Sequence, residues 1–289
     1  MNILAVLATR NEVLHIKRCI ECLIENGFEV ALVDHGSTDG TREVAETYLG
    51  NGLLHIDEIP WEGSFSLEKQ LIAKAKIFEQ SSHQWVAHFD ADEWPMPAAA
   101  FTRLVDMASE ANSRGYNAIN FNEFVFIPEP GRDYCHSDHG SIMSNYYFFQ
   151  PSYPRLQRMW RRESMLSSLE HGGHILSGRS VNIFPVDAAL RHYIILSQEH
   201  ALAKYVGRIF ADTDLKRGWH QNRMTITESK IKNFFQSYSN YCKQIKVLQN
   251  PISRDFDISS PQKYHFWDWY NYAAEREFEI QAKESELLQ

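Results

Sequence analysis

The chain has 289 residues, 44% of them hydrophobic and 13% aromatic, with 29 Lys+Arg against 37 Asp+Glu and a formal net charge of −8. That length and apolar content can bury a sizeable core, which excludes a disordered chain and a disulfide-stapled miniprotein. The acidic balance argues against a nucleic-acid binder held by phosphate contacts, because that mode needs a basic face; it also raises the question of what would neutralise an anionic ligand.

Residues 2–8 form a short apolar run that reads as a buried strand, and no cationic stretch precedes it as in a signal peptide. Residues 13–25 place Ile16, Ile20, Leu23 and Ile24 on one helical face, and Asn26-Gly27 ends that helix. Cys19 and Cys22 lie inside it and read as two helix-face thiols. With Cys135 and Cys242 they are too few and too scattered for a disulfide framework, which suits a reducing, cytoplasmic compartment. Strands follow at 29–33, 53–59 and 85–89, alternating with helices at 39–49 and 66–78; a helix at 97–113 and a strand at 118–127 complete the pattern. This alternation predicts an α/β fold with an open, mostly parallel sheet flanked by helices and ligands bound outside the strands' carboxyl ends. No apolar run approaches the roughly 18–20 residues of a spanning helix, although peripheral membrane contact stays compatible.

From residue 128 to 154 the chain is polar and rich in Pro, His and Tyr without a regular period, the texture of a long functional loop. Residues 155–162 and 180–184 read as strands, and 197–210 and 227–247 as helices. From about 263 an aromatic cluster (Tyr264, Phe266, Trp267, Trp269, Tyr270, Tyr272) reads as core packing, followed by a charged helix.

Three strand ends carry the chemistry. Asp90-Ala91-Asp92-Glu93 closes the fourth strand, and residues two apart in an extended chain point the same way. Asp90 and Asp92 can thus offer two hard oxygen ligands to Mg²⁺ or Mn²⁺, although a solvated acidic turn capping the next helix gives the same pattern. Glu93 is open between a capping charge and a support for a metal ligand. Asp34-His35-Gly36-Ser37-Thr38-Asp39-Gly40-Thr41 closes the second strand, with Gly36 and Gly40 for tight turns and Ser37 or Asp39 as helix cap. Asp34 is placed to accept hydrogen bonds from a base or ribose. Thr9-Arg10-Asn11-Glu12 closes the first strand in the same way.

Together these segments resemble the nucleotide-binding half of the GT-A-fold glycosyltransferases, in particular the family 2-like group. Asn11-Glu12 matches that family's first-strand pair and Asp34 through Thr41 its second-strand motif. Asp90 and Asp92 match its Asp-x-Asp, in the Asp-Ala-Asp-Glu variant of a bacterial subgroup. The resemblance spans roughly residues 1–125. It implies that Asn11, Glu12 and Asp34 surround the nucleotide, that Asp90 approaches the ribose or metal, and that Asp92 binds Mn²⁺ or Mg²⁺ bridging the diphosphate. It also implies a nucleotide contact on the helix before the Asp-x-Asp strand, where Lys69 stands, with a solvated helix face as the alternative.

Further on, His171-Gly172-Gly173-His174, Arg191-His192-Tyr193 and Gly218-Trp219-His220 look like motifs of the same subgroup. They suggest His192 as a metal ligand, and His171, His174, Trp219 and His220 in the donor or acceptor pocket. Lys204 and Arg208 are spaced so that a helix would present both to a leaving diphosphate. The family's downstream Glu-Asp base pair has no match, leaving Glu170 and Glu199 as candidate bases. Residues 1–225 would be the catalytic domain, with nucleotide-binding (1–125) and acceptor/metal (126–225) halves, and 226–289 a helical C-terminal extension. The expected reaction moves a sugar from a nucleotide-diphosphate donor, a UDP-sugar, to a hydroxyl of a glycan or lipid-linked glycan. A metal-dependent phosphohydrolase and a non-catalytic carbohydrate-binding protein are the alternatives.

Overall fold

The computed structural model describes residues 1–136 and 138–269. Its elements are β1 (Ile3–Thr9), α1 (Ile16–Glu25), β2 (Glu29–Asp34), α2 (Thr41–Glu46), β3 (Leu53–Glu58), α3 (Leu67–Gln80), β4 (Trp85–Asp90), β5 (Glu93–Met96), α4 (Leu104–Ser113), β6 (Ala118–Ile119), β7 (Phe121–Phe126), α5 (His139–Ile142), β8 (Asn145–Phe149), β9 (Met159–Arg161), β10 (Ala188–His192), α6 (Gln198–Tyr205), α7 (Asp212–Lys216), α8 (Gln221–Met224), α9 (Glu228–Gln236) and β11 (Lys246–Val247).

The first sheet runs β3-β2-β1-β4-β9-β6, with β3, β2, β1 and β4 parallel and β9 antiparallel to both neighbours. Of the parallel strands, β1, β2 and β4 are covered on both faces. Ala5, Leu7, Leu32 and Phe89 enter one core, while Val6, Val33 and Val86 enter another, which is why these strands read as unbroken apolar runs. Thr9 pairs with Asp34 and Ala8 with Asp90. That register brings the ends of β1, β2 and β4 out at one edge, where an open α/β sheet binds its ligands.

The second sheet, β11-β8-β7-β10-β5, is parallel only between β10 and β7 and was not anticipated. The expected strand at 118–127 splits into β6 and β7, one in each sheet. The expected loop at 128–154 contains α5 and β8. The helix expected from 97 begins only at Leu104, because Glu93–Met96 pair with β10 instead. Residues 180–184 make a single bridge, Ala118 to Ile183. The helix expected to reach 210 stops at Tyr205, before Gly207 at φ +75°. The helix expected to reach 247 stops at Gln236, followed by a 3₁₀ turn at Tyr238–Tyr241 and β11.

A further core joins this sheet to α6, α9 and the 3₁₀ turn Phe266–Asp268 through Val125, Tyr147, Ile194, Tyr205, Ile231, Phe234 and Trp267. This core takes residues from both sides of position 225, Ala201 and Tyr205 with Ile226 and Ile231. Phe266, Trp267 and Trp269 are buried in this core as expected, whereas Tyr264, expected with them, is exposed; Tyr270, Tyr272 and the expected terminal helix lie outside the described residues. Cys19 and Cys22 are buried free thiols. Among the described residues no helix is long and apolar enough to cross a membrane.

Candidate active site

A cavity of about 420 Å³ opens at the ends of β1 and β4 and is walled by β7, β10, α6 and residues 208–223. Among the described residues eight Lys and Arg line it against five Asp and Glu. This local excess of positive charge answers the question raised by an acidic chain: the acidity lies elsewhere.

At its centre stands Asp92. One carboxylate oxygen accepts from Lys204 Nζ at 2.8 Å, and the other lies 3.6 Å from His192 Nε2. Lys204 also reaches Glu12 at 3.3 Å. His192 Nδ1 contacts Glu123 at 2.6 Å, and Glu123 is in turn paired with Arg155. Burial alone would lower the His192 pKa, but Asp92 and Glu123 hold it well above the ordinary imidazole range. Burial likewise opposes the Asp92 carboxylate, yet Lys204 and His192 hold its pKa well below normal. Burial pushes Glu12 up to about 7 despite Lys204.

Asp90 answers to other bases, 3.4 Å from Lys74 and 3.9 Å from Arg158. Its own N–H donates to Glu93 at 3.0 Å, and Glu93 pairs with Arg158 at 2.6 Å with both side chains buried. The extended geometry that would point Asp90 and Asp92 at one cation is absent, because Ala91 and Asp92 form a turn. Glu93 is neither helix cap nor solvated charge; it joins β5 to the chain before β9.

The expected base-binding corner is folded on itself. Asn11, exposed at φ +56°, donates its N–H to Ser37 Oγ (3.0 Å) and accepts from Thr38 N–H (2.8 Å). Asp34 is 2% exposed and accepts from Ser37 N–H at 2.9 Å; its second oxygen is buried without a partner. Arg10 stacks over Trp61, 3.4 Å from the ring centre, and donates to the His35 and Gly36 carbonyls. Neither Asn11 nor Asp34 lines the cavity, whereas Glu12 does.

Lys69 pairs with exposed Glu62 at 2.6 Å, away from the cavity. Gln70 and Lys74 line it from the same helix instead. The spacing of the buried Gln70, Leu71, Lys74, Ile77 and Phe78 already marks that face. Arg208 lies beyond the end of α6, so no helix face presents it beside Lys204. It reaches the cavity from the following turn, its guanidinium 4.1 Å from the centre of Phe65. Arg223, missed in the sequence, lines the cavity nearby. Neither arginine has a carboxylate partner among the described residues, and burial followed by Arg223 lowers the Arg208 pKa.

His171, His174, Trp219 and His220 all line the cavity. Burial, then Arg155 and Arg158, bring His174 down to about 3. Trp219 packs on Gly172, where a Cβ would lie 3.3 Å from the indole nitrogen, and His220 stacks on Phe210 at 4.5 Å. Asp214, fully buried, accepts from the Leu67 and Glu68 N–H groups at 2.6 and 3.0 Å, tying this wall to the start of α3. Glu170 and Glu199 are exposed and do not line the cavity: one sits on a 3₁₀ turn, the other in the first turn of α6, ahead of the inward-facing Lys204 and Tyr205.

The first sheet, with a cationic cavity at its strand ends, matches the fold expected of the GT-A group. A model described as glycosyl transferase family 2 matches residues 5–164, and the chain belongs to that family. Membership sets aside the phosphohydrolase alternative. The chain is 36% identical over 90 residues to the lipopolysaccharide core biosynthesis glycosyltransferase LpsC of Rhizobium meliloti (strain 1021), a match covering 31% of each protein. Among solved structures it is similar to S. aureus TarS 1-349 (14% identity, TM-score 0.41, 67% of this chain and 60% of that one). It is also similar to TarS 1-349 in complex with UDP (11% identity, TM-score 0.43, 83% and 71%).

Proposed function

We propose that this glycosyltransferase takes its sugar from a nucleotide-diphosphate donor and passes it to a hydroxyl of a glycan or lipid-linked glycan. The observation that carries the donor class is the unpaired Arg208 and Arg223 beside the Lys204–Asp92 pair. Two guanidinium groups without acidic partners, facing a cavity, suit the charge that develops on a departing diphosphate. The glycan acceptor is supported by the name of the R. meliloti relative, a lipopolysaccharide core enzyme.

Asp92 would hold a divalent ion in place of its pair with Lys204, and His192 would join it only on losing the proton that Asp92 and Glu123 favour, with Glu123 still fixing the ring through Nδ1. Among the described residues no group of three or more His, Cys, Asp or Glu is arranged to hold a metal. Phosphate oxygens and water would therefore complete the shell, as is usual for Mg²⁺. When bound, such an ion offsets charge on the leaving diphosphate. Lys204 and Arg208 bind the same group from the other wall, and Trp219, His171 and His174 bound the space left for the sugar. Proton removal from the acceptor falls to a group lining the cavity, since Glu170 and Glu199 stand outside it.

Calorimetric titration with UDP and a panel of nucleotide sugars, with and without Mn²⁺, tests the reading. Binding should weaken about tenfold in Arg208→Ala, the loss of one charged hydrogen bond, and sugar transfer should vanish in Asp92→Ala. Failure of UDP and of every nucleotide sugar in the panel to bind, with or without Mn²⁺, would overturn it.

A further inference from the structure

The β5–β10 strand pair has two working faces. Glu93 and His192 stand opposite each other in register and line the catalytic cavity. The adjoining pair, Trp94 and Arg191, also stand opposite each other, and they line a separate cavity of about 330 Å³. Alternation along the strands puts the two cavities back to back.

Arg191 is 3% exposed, and no carboxylate lies within ion-pair distance of it among the described residues. Its terminal nitrogens donate to the Ser253 carbonyl (2.6 Å), the Gly140 carbonyl (3.5 Å) and the Tyr193 hydroxyl (3.0 Å). Phe126 and Phe256 flank the guanidinium at 5.0 and 5.5 Å. None of these groups carries negative charge, and the Arg191 Nε–H is buried without a partner. The indole N–H of Trp94, a residue 7% exposed, is also buried without a partner. Trp94 is fixed against Gly140, where a Cβ would fall 1.8 Å from its ring.

The other charged groups lining the cavity are Arg18, Arg254, Glu25 and Asp138. Arg18 is paired with Glu21 and Glu25, while Arg254 is exposed and donates to the Phe101 carbonyl. A buried cation without a counter-charge, beside two orphaned donors, carries a desolvation cost that an acceptor ligand would relieve.

We propose that this rear cavity is a second binding site, for a small ligand bearing an oxyanion, phosphate or carboxylate. The oxyanion meets Arg254 at the rim, and accepting from Arg191 Nε–H and Trp94 Nε1–H, both closed to solvent in this structure, requires those two side chains to turn toward the cavity. Its volume is at the small end of ligand sites.

The full chain with ¹⁵N-labelled tryptophan tests this directly, because the Trp94 indole signal is identified by its disappearance in Trp94→Phe. Sodium phosphate or sodium acetate should move that signal saturably, and chloride at equal ionic strength should not; the anion giving the tighter saturation identifies the preferred headgroup. The response should persist in Arg208→Ala, weaken about tenfold in Arg254→Ala through loss of a charged contact, and vanish in Arg191→Met. A Trp94 signal that stays fixed while the Trp219 signal moves would confine the anion to the catalytic cavity and overturn the proposal. No movement of either signal would overturn it too. If Arg191→Met does not fold, the wild-type and Arg254→Ala titrations still decide.

Discussion

Glu93 and Arg158 meet at 2.6 Å with both side chains buried, and Asp90 is the only other acid within ion-pair distance of Arg158, at 3.9 Å, among the described residues. Removing one partner of such a pair leaves a charge stranded in the interior, at a cost of about 3–5 kcal/mol. Glu93→Gln is therefore expected to lower the stability measured by urea unfolding by about that much; a loss below 1 kcal/mol would show that solvent or Asp90 compensates. Lys69→Ala is the contrasting case. Its pair with Glu62 is exposed on both sides, so stability should move by less than about 0.5 kcal/mol and nucleotide affinity should stay within about twofold. A large loss of affinity would return Lys69 to the binding site. α3 offers Lys69, Lys74 and Lys76, and the burial periodicity, not charge, turns Lys74 toward the cavity.

At the scale of elements, Asp214 is the joint between the second half of the chain and α3. It caps the Leu67 and Glu68 N–H groups from α7, while Ser66 caps Lys69 N–H locally. Asp214→Ala should cost about 1–2 kcal/mol through the lost cap. It should also weaken nucleotide binding, because Phe210, His220 and Arg208 stand on the wall that Asp214 anchors; unchanged binding would show that the wall holds its place without it. The elements readable from sequence share a cause. Strands β1, β2 and β4 are buried on both faces and carry unbroken apolar runs, and α1 and α3 carry a one-sided apolar stripe. β5 and β10 gave no such signal. β5 is an edge strand four residues long that contains Pro95, which only an edge tolerates. β10, Ala-Ala-Leu-Arg-His, has no β-branched residue and ends in two charged-type side chains. The part of the site legible in the sequence came from two sources: the ends of the parallel strands gave Glu12, Asp90 and Asp92, and the family resemblance gave His171, His174, His192, Lys204, Trp219 and His220, all of which line the cavity. Glu123, Arg155, Arg158 and Arg223 come from places where local sequence is silent: Glu123 stands on β7 of the second sheet, Arg155 and Arg158 on the segment leading into β9 of the first, and Arg223 on α8.

At the scale of the whole molecule, a cluster of three imidazoles, two of them fully buried, contributes to its behaviour in acid. His15 and His139 lie edge to face at 4.9 Å, and His200 is 6.1 Å from His15. Burial above all holds His139 down to about 4 and His200 to about 3, and keeps His15 well below its ordinary value. Above the unfolded value near ~6.5 both states are neutral, so nothing is lost. As the pH falls from there through 4 toward 3, the unfolded chain binds protons the native one refuses, and stability declines across that window. The urea midpoint should therefore drop between pH 7 and pH 4, with a shallower drop in His139→Phe; identical slopes would remove His139 from the account.

The line of alternating charge from Arg155 through Glu123, His192, Asp92 and Lys204 to Glu12 also fixes where the molecule can be cut. The family model ends at residue 164, but a fragment ending there keeps Glu12, Asp92 and Glu123 and discards His192 and Lys204. Three acids would then share the interior with Arg155 as their remaining partner in that line. The smallest piece that can stand alone must run past Lys204 into the helices that cover it, so the boundary of the recognisable motif is not the boundary of the machine.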